Sequence, residues 1–473
     1  MTVSGTHPAP LAARTTPIPG LLVLDLPVHG DNRGWFKENW QRAKMTALGL
    51  PDFGPVQNNI SFNATPGVTR GIHAEPWDKY VTVAAGQVFG AWVDLREGES
   101  FGQVFHCEID PSVAVFVPRG VGNAFQALAP DTAYSYLVNA HWSEQAREEY
   151  TFLNLADPSV AIPWPVPLEG AELSTHDRHH PMLGDVVPMP PLRTLVLGAG
   201  GQLGRALRRL WAHRTDVDLV GRDEVDLARP ETLEAVEWAR YDTVVNAAAH
   251  TDVDGAETEE GRLAAWSANA AGPAQLARIA TQHRLTLVHV SSDYVFDGST
   301  VPHSEDEPVT PLGVYGQSKA AGDLAVATTP RHYLLRTSWV VGEGSNFVAT
   351  MASLAERGVA PRVVDDQIGR LTFAEDLARA VAHVLTTSPE YGTYNVSSAG
   401  DPASWADLAR AVFELTGHDP GAVTPVSTQE YYEGRAAAPR PLGSTLDLTK
   451  LSATGFRPVD QREALAAYLA AMS

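Results

Sequence analysis

The stretch Thr194-Leu195-Val196-Leu197-Gly198-Ala199-Gly200-Gly201-Gln202-Leu203-Gly204-Arg205-Ala206-Leu207 decides how the chain is read. Its apolar start suits a strand covered on both faces, and Gly198, Gly201 and Gly204 follow the G-x-x-G-x-x-G spacing of a dinucleotide-binding turn. Glycines there let the backbone turn tightly and approach a pyrophosphate, while free N–H groups at the helix start face the anion. A phosphate is expected over Gly201 to Leu203. The same spacing also occurs in ordinary strand-to-helix turns, so context must decide. Because the motif usually opens its domain, the roughly 190 residues before it form a separate unit.

With 473 residues and 44% hydrophobic side chains, the chain is long enough for two to four globular domains. No run of eighteen apolar residues occurs, and the polar, proline-rich first twenty residues carry no apolar leader. A cytoplasmic protein without a membrane partner is expected. The single cysteine, Cys107, excludes an internal disulfide and a cysteine-based zinc site, and no metal site is read. A net charge of -21 argues against nucleic acid, because phosphate neutralisation supplies most of that affinity. Small phosphorylated ligands remain open through local arginines and lysines.

Residues 1 to about 20 are expected to be a poorly ordered lead-in. From Leu21 the pattern becomes β-rich: Lys79 to Leu95, Val104 to Ile109 and Val113 to Val117 are short runs separated by Gly, Pro and Asp, as in a sandwich or barrel. Only Gln41 to Leu48 reads as a helix before residue 140. Four prolines and a glycine between Pro181 and Arg193 mark a linker. We therefore place a first domain over 1–185, a linker over 186–193 and a second domain over 194–473. In the second, apolar runs at Val217 to Val220, Asp242 to Ala248, Leu285 to Ser292 and His332 to Val340 alternate with helical segments, which implies a parallel sheet covered on both faces. Ser404 to Leu415 and Gln461 to Met472 are amphipathic helices.

Ser292 ends one of these strands, where open α/β sheets bind ligands, and Tyr315 and Lys319 are four apart on one face of the next helix. An ammonium near a phenol favours the phenolate, so Tyr315 could exchange a proton while Ser292 polarises a carbonyl and a nicotinamide delivers hydride. A lone Y-x-x-x-K is common by chance; three features in order are not.

On Gly201-Gln202-Leu203-Gly204, Val225-Asp226-Leu227, Val245 to Asp254, Ser292 to Gly298, Tyr315 with Lys319, Arg336-Thr337-Ser338-Trp339 and Asp366 to Gly369, residues 193 to 472 resemble the extended short-chain dehydrogenases, and within them the dTDP-4-dehydrorhamnose reductases. The resemblance implies a Rossmann domain with cofactor contacts at Gly201, Gln202, Leu203, Asp226, Leu227, Ala247, Ala248, Ala249, Tyr315 and Lys319. It implies substrate contacts at Ser292, Asp293 and Trp339, with serine at 292 where the family more often has threonine. At the end of the second strand Arg222 stands in place of an acidic residue that would grip a ribose 2′-OH, so NADPH is expected, with NADH as the alternative. Otherwise Arg222 is a solvated loop charge. Whether a divalent cation such as Mg2+ is needed stays open.

In the first domain the densest cluster is Gly67 to His73, Lys79, Pro118 to Phe125, Tyr134 to Val138, Asp157-Pro158, Ile162 to Pro165 and Leu173 to Asp177. Residues 20 to 180 resemble the dTDP-4-dehydrorhamnose 3,5-epimerases, which are all-β cupin-type jelly rolls. A base near neutral pH suits imidazole. The resemblance assigns His73 as that base, Asp177 as its orienting carboxylate and Tyr136 as the opposing acid; Lys79 is our candidate for stabilising the enolate. It also implies contacts to the nucleotide sugar at Arg33, Glu38, Gln57, Asn58, Asn59 and Arg70, and stacking of Trp142 on the base. Three departures surround the ligand: Asn123 replaces a substrate-binding histidine, the loop from His73 to Lys79 is shorter than usual, and the acidic contact after Trp142 aligns with either Arg147 or Glu148.

Together the halves imply consecutive steps of dTDP-L-rhamnose synthesis, in a forced order, because reduction of the C4 ketone removes the group that acidifies the neighbouring C–H bonds. The same chemistry on another 4-keto-6-deoxy nucleotide sugar, including a UDP sugar, and a non-catalytic nucleotide-binding regulator are the alternatives. Family epimerases are typically dimeric through the jelly roll, so a homodimer is expected; no tunnel between the sites is.

Overall fold

The computed structural model describes residues 10–434 and 436–472. It divides into two compact units, Met1–Pro191 and Leu192–Ser473.

The first unit is a jelly roll of two antiparallel sheets. Six strands form one sheet, in the order 12–15, 22–25, 113–117, 79–85, 132–138 and 57–63; five form the other, in the order 151–152, 69–74, 121–127, 88–94 and 104–109. Side chains alternate across each strand, so the inward set meets between the sheets: Val81 and Val83, Val115 and Val117, Trp92, Phe125 and Tyr134 form one buried cluster. Cys107 packs at its margin, half-buried. The run Lys79 to Leu95 is two strands, Lys79–Ala85 and Val88–Asp94, turning at Gly86. The helix read at Gln41 to Leu48 spans Arg42–Ala47 with Gln41 as its cap.

The lead-in departs from its expectation. Its first nine residues lie outside the described ones, but Ala12–Thr15 pairs antiparallel with Leu22–Asp25, and Ile18 is fully buried. Non-local pairing outweighs the weak strand propensity of Ala-Ala-Arg-Thr. The proline-rich segment before the second unit is likewise engaged. Met189 is buried and exchanges backbone hydrogen bonds with Leu95 and Glu97 at 2.8 and 2.9 Å.

The second unit has a six-stranded, wholly parallel sheet in the order 217–220, 193–197, 241–246, 286–292, 332–337 and 392–396. From strand 193–197 the chain passes to one side and then returns to the other, so the strand order reverses beside it. A crevice at the carboxyl ends follows from that reversal. Buried clusters lie on both faces, one around Val196, Leu207 and Val381 and another around Leu195, Leu276 and Leu287. The sixth strand, Gly392–Val396, was not anticipated: Gly392 and Asn395 are poor strand formers that interrupt the short run, and pairing with 332–337 forms it. The run expected to continue to Val340 stops at Thr337, because Trp339 has φ +44 and breaks the strand.

Helix Trp405–Leu415 starts on a capping box, with Ser404 accepting from the Asp407 N–H and the Asp407 carboxylate accepting from Ser404 N–H. Ser404→Ala is expected to lower the stability of the second unit by about 1 kcal/mol, measured by urea unfolding of the full chain.

Candidate active sites

In the jelly roll, strand Thr69–Ala74 carries Arg70 and His73, strand Lys79–Ala85 begins with Lys79, and Thr132–Val138 contributes Tyr136. Together with Asn123, Trp142 and Asp177 they line one cavity of about 370 Å³. His73 Nε2 lies 2.8 Å from Asp177 Oδ1. Asp177 is 5% exposed; burial alone would raise its carboxyl, but hydrogen bonds from His180 and His73 hold it well below the usual carboxylate range. Lys79, itself buried, bonds Glu75 Oε1 at 2.6 Å and lies 5.7 Å above the Tyr136 ring. Burial and the Glu75 charge push the Tyr136 phenol up, with Arg70 opposing.

Glu75 was not singled out from sequence, and neither was His180, whose Nε2 lies 3.2 Å from the same Asp177 oxygen. Glu75 also accepts from Trp77 Nε1 at 2.5 Å, so its two oxygens serve two partners. Asn123 accepts from Trp92 Nε1 at 3.0 Å and from the Tyr134 hydroxyl at 3.1 Å.

Arg33, Glu38, Gln57, Asn58 and Asn59 do not line this cavity. Arg33 sits on an exposed hairpin, 28–37, and pairs with Asp31; Glu38 pairs with Lys44 at 2.8 Å. Gln57 accepts the Trp142 N–H at 3.2 Å and donates to Asn59, while Asn58 accepts from Ser135. Within one chain Gln57 thus supports the rim through Trp142, and the other four pair with residues that do not line the cavity.

In the second unit, Gly198, Gly201, Asp226, Leu227, Ala247, Ala248 and Ala249 surround a cavity of about 230 Å³, and Arg222 joins them. Gly198 has φ +85, and a Cβ there would stand 2.7 Å from Ala248 N, so only glycine leaves this turn intact. Gln202 and Leu203 do not line the cavity: Gln202 donates to Ser345 O at 3.4 Å, and Leu203 is packed in the core. They open helix Gln202–Leu210, whose cap is Gly201.

Ser292 ends its strand, and its hydroxyl hydrogen-bonds Tyr315. Burial pushes the Tyr315 phenol up to about 12, with the Ser292 bond pulling the other way. The expected lowering by Lys319 is not what dominates, because the Lys319 ammonium is aimed at Val290 O, 2.7 Å away. Lys319 is 2% exposed, and burial lowers it to about 8. Asp293, which accepts from Ser292 at 3.0 Å, is pushed up to about 6 by burial. Trp339 stacks on Trp405 with ring centres 3.8 Å apart. Asn269, in a single π-helical turn at Ser267–Ala271, was also missed; it donates to His250 O at 3.0 Å and Ser318 Oγ at 3.1 Å, tying the loop after strand 241–246 to the helix of Tyr315 and Lys319.

Two cavities so built define an epimerase-type jelly roll and a dinucleotide-dependent reductase in one chain. Comparison with known proteins agrees: residues 15–185 match the family model of the dTDP-4-dehydrorhamnose 3,5-epimerases, and residues 192–473 match the RmlD substrate binding domain. A protein RmlC homolog of Streptococcus pyogenes serotype M6 is 54% identical over 188 residues, 38% of this chain and 94% of the relative. The dTDP-4-dehydrorhamnose reductase of Aggregatibacter actinomycetemcomitans is 37% identical over 291 residues, 58% of this chain and 97% of the relative. The crystal structure of dTDP-4-dehydrorhamnose reductase from Bacillus anthracis in complex with NADP is 32% identical, with TM-score 0.55, covering 60% of this chain and 99% of that one. The chain belongs to both families, an epimerase unit followed by a reductase unit.

The depressed Asp177 carboxyl contributes stability above the ordinary carboxylate range and loses it as pH falls toward the folded value. Asp177→Asn should be less stable at neutral pH and show a flatter decline below about pH 4, read from urea midpoints across pH.

Proposed function

We propose that the chain converts dTDP-4-dehydro-6-deoxy-D-glucose to dTDP-L-rhamnose, epimerising C3 and C5 in residues 1–185 and reducing C4 in residues 194–473, with 186–193 joining them. The observation that carries this reading is the convergence of His73, Asp177, Tyr136 and Lys79, from separate strands and a distant turn, on one cavity.

His73 removes the proton next to the C4 carbonyl. Its Nε2–H is engaged by Asp177, so Nδ1 is the nitrogen that receives the proton, and the ionised carboxylate steadies the imidazolium that results. Lys79 stabilises the enolate oxygen, its own charge held in place by Glu75. Tyr136 returns a proton from the opposite face. A phenol held up by burial stays protonated at neutral pH, which is the form an acid needs.

The reductase cavity fits a dinucleotide: Gly198 admits no Cβ, and the loops at the carboxyl ends close round it. NADPH, with Arg222 toward the 2′-phosphate, supplies the hydride when bound; NADH is the weaker partner. Ser292 holds the C4 oxygen, and Tyr315 protonates it as it becomes an alkoxide, a stronger base than phenolate. Lys319, one turn along that helix, supplies positive charge that offsets the phenolate left behind, which takes its proton back from solvent. Asp293 and Trp339 shape the sugar side.

A homodimer through the jelly roll completes the first site. Edge strand Gln57–Asn63 carries exposed Ile60 and Phe62, the hairpin carries exposed Trp35 and Phe36, and Arg33 and Glu38 stand on that arm away from their own cavity. Among the described residues no helix is long and apolar enough to cross a membrane; a reductase that draws on NADPH works in the cytoplasm.

With no reductant, the protein should introduce solvent deuterium at positions 3 and 5 of the sugar, and addition of NADPH should then give dTDP-L-rhamnose by NMR. Lack of both exchange and cofactor oxidation would end the proposal. Tyr315→Phe should lower NADPH oxidation by at least ~100-fold while deuterium exchange continues. Arg222→Ala should raise KM for NADPH several-fold, on the order of the loss of one exposed ion pair, and leave KM for NADH nearly unchanged.

A further inference from the structure

We propose that His180 is a positioning residue for epimerisation, sharing the carboxylate oxygen that holds the base and thereby fixing where that carboxylate sits. The proposal rests on the reading of His73 as the base.

An ionised carboxylate only accepts hydrogen bonds, so both ring nitrogens facing Asp177 Oδ1, His73 Nε2 at 2.8 Å and His180 Nε2 at 3.2 Å, carry protons. Two donors on one oxygen define its position from two directions. Asp177 needs that help, because it lies on a three-residue turn, Asp177–His179, outside both sheets, 104 residues from the histidine it serves.

His180 is itself well held. Its ring stacks on Phe152 with centres 4.7 Å apart and planes 16° from parallel, and it meets the His73 ring edge-on at 5.4 Å. Phe152 is the register partner of His73 in the adjacent strand. Asn154 Nδ2, two residues further on, donates to His180 O at 3.0 Å and to Arg178 O at 3.3 Å. The turn carrying Asp177 is thus tied to the same point of the sheet as the base, once through a ring and twice through backbone.

His73, Asp177 and His180 also place their ligand atoms within 4.8 Å of one another, a spacing that a divalent cation could use. The positioning role needs no metal, and the test separates the two.

The readout is solvent deuterium exchange at positions 3 and 5 in the full-length protein without reductant. His180→Phe keeps a stacked ring and removes the donor; His180→Gln keeps a donor and removes the ring. The Phe variant should lose ~10-fold in exchange kcat with KM nearly unchanged, and the Gln variant should stay within about threefold of wild type. Reduction of dTDP-4-dehydrorhamnose, unchanged in both, confirms the second unit, and an unchanged near-ultraviolet circular dichroism spectrum confirms that the jelly roll is folded. A Phe variant as fast as wild type, or a Gln variant as slow as Phe, overturns the proposal, the latter in favour of ring packing. Loss of wild-type exchange after dialysis against EDTA overturns it in favour of a metal. His73→Asn run in parallel should abolish exchange; if exchange survives there, the assignment of the base has failed, a result distinct from failure at His180 alone.

Discussion

Both sites depend on charged groups kept ionised away from water. Removing a charge from solvent costs several kcal/mol unless partners replace its hydration. In the jelly roll, Asp177 is compensated by two imidazoles, and Lys79 by Glu75, whose second oxygen is taken by Trp77. In the parallel sheet, buried Lys319 rests on the Val290 carbonyl, with Asp323 one helical turn away and paired to Arg336 at 3.1 Å. Each partner is a fixed side chain or a strand carbonyl. The sheets therefore act as rigid sources of counter-charge, and rigidity is what lets a site poise a proton without reorganising as it moves.

What could be read in advance follows from range. The glycine turn after Leu197, the Tyr315 and Lys319 pair and the alternation of strands with helices are local patterns, and their placement was legible in the residues themselves, whereas the turning of the Lys319 ammonium to Val290 O and away from the phenol was not. His73, Asp177 and Tyr136 became readable through family resemblance, since nothing local says that positions 104 apart will meet. His180 lies in Thr-His-Asp-Arg-His-His, where three histidines compete, and only the turn at Asp177–His179 decides which ring faces the carboxylate. Glu75 reads as one more acidic residue until Lys79 and Trp77 close on it. Ala12–Thr15 and Gly392–Val396 escaped for the same reason, being strands made by their neighbours.

The order of the chemistry is imposed by one carbonyl. Its electron demand makes the adjacent carbons acidic, and hydride addition ends that demand. The two units answer it differently: the jelly roll gathers His73 and Tyr136, the proposed base and acid, on one cavity, and the parallel sheet offers a buried phenol held near a hydroxyl. The high Tyr315 value suits donation to an alkoxide, so strong depression toward neutrality is not required in the reducing direction.

Asn123 carries a consequence for what this pocket wall can tolerate. Its one carbonyl oxygen accepts from both Trp92 and Tyr134, two large rings that are fully buried in the sandwich. An imidazole offers at most a single lone pair in that place, so histidine at position 123 would strand a donor in the interior. The amide is therefore a strut of the sandwich as well as part of the pocket lining, and any substitution there has to satisfy the indole and the phenol before it can serve a sugar.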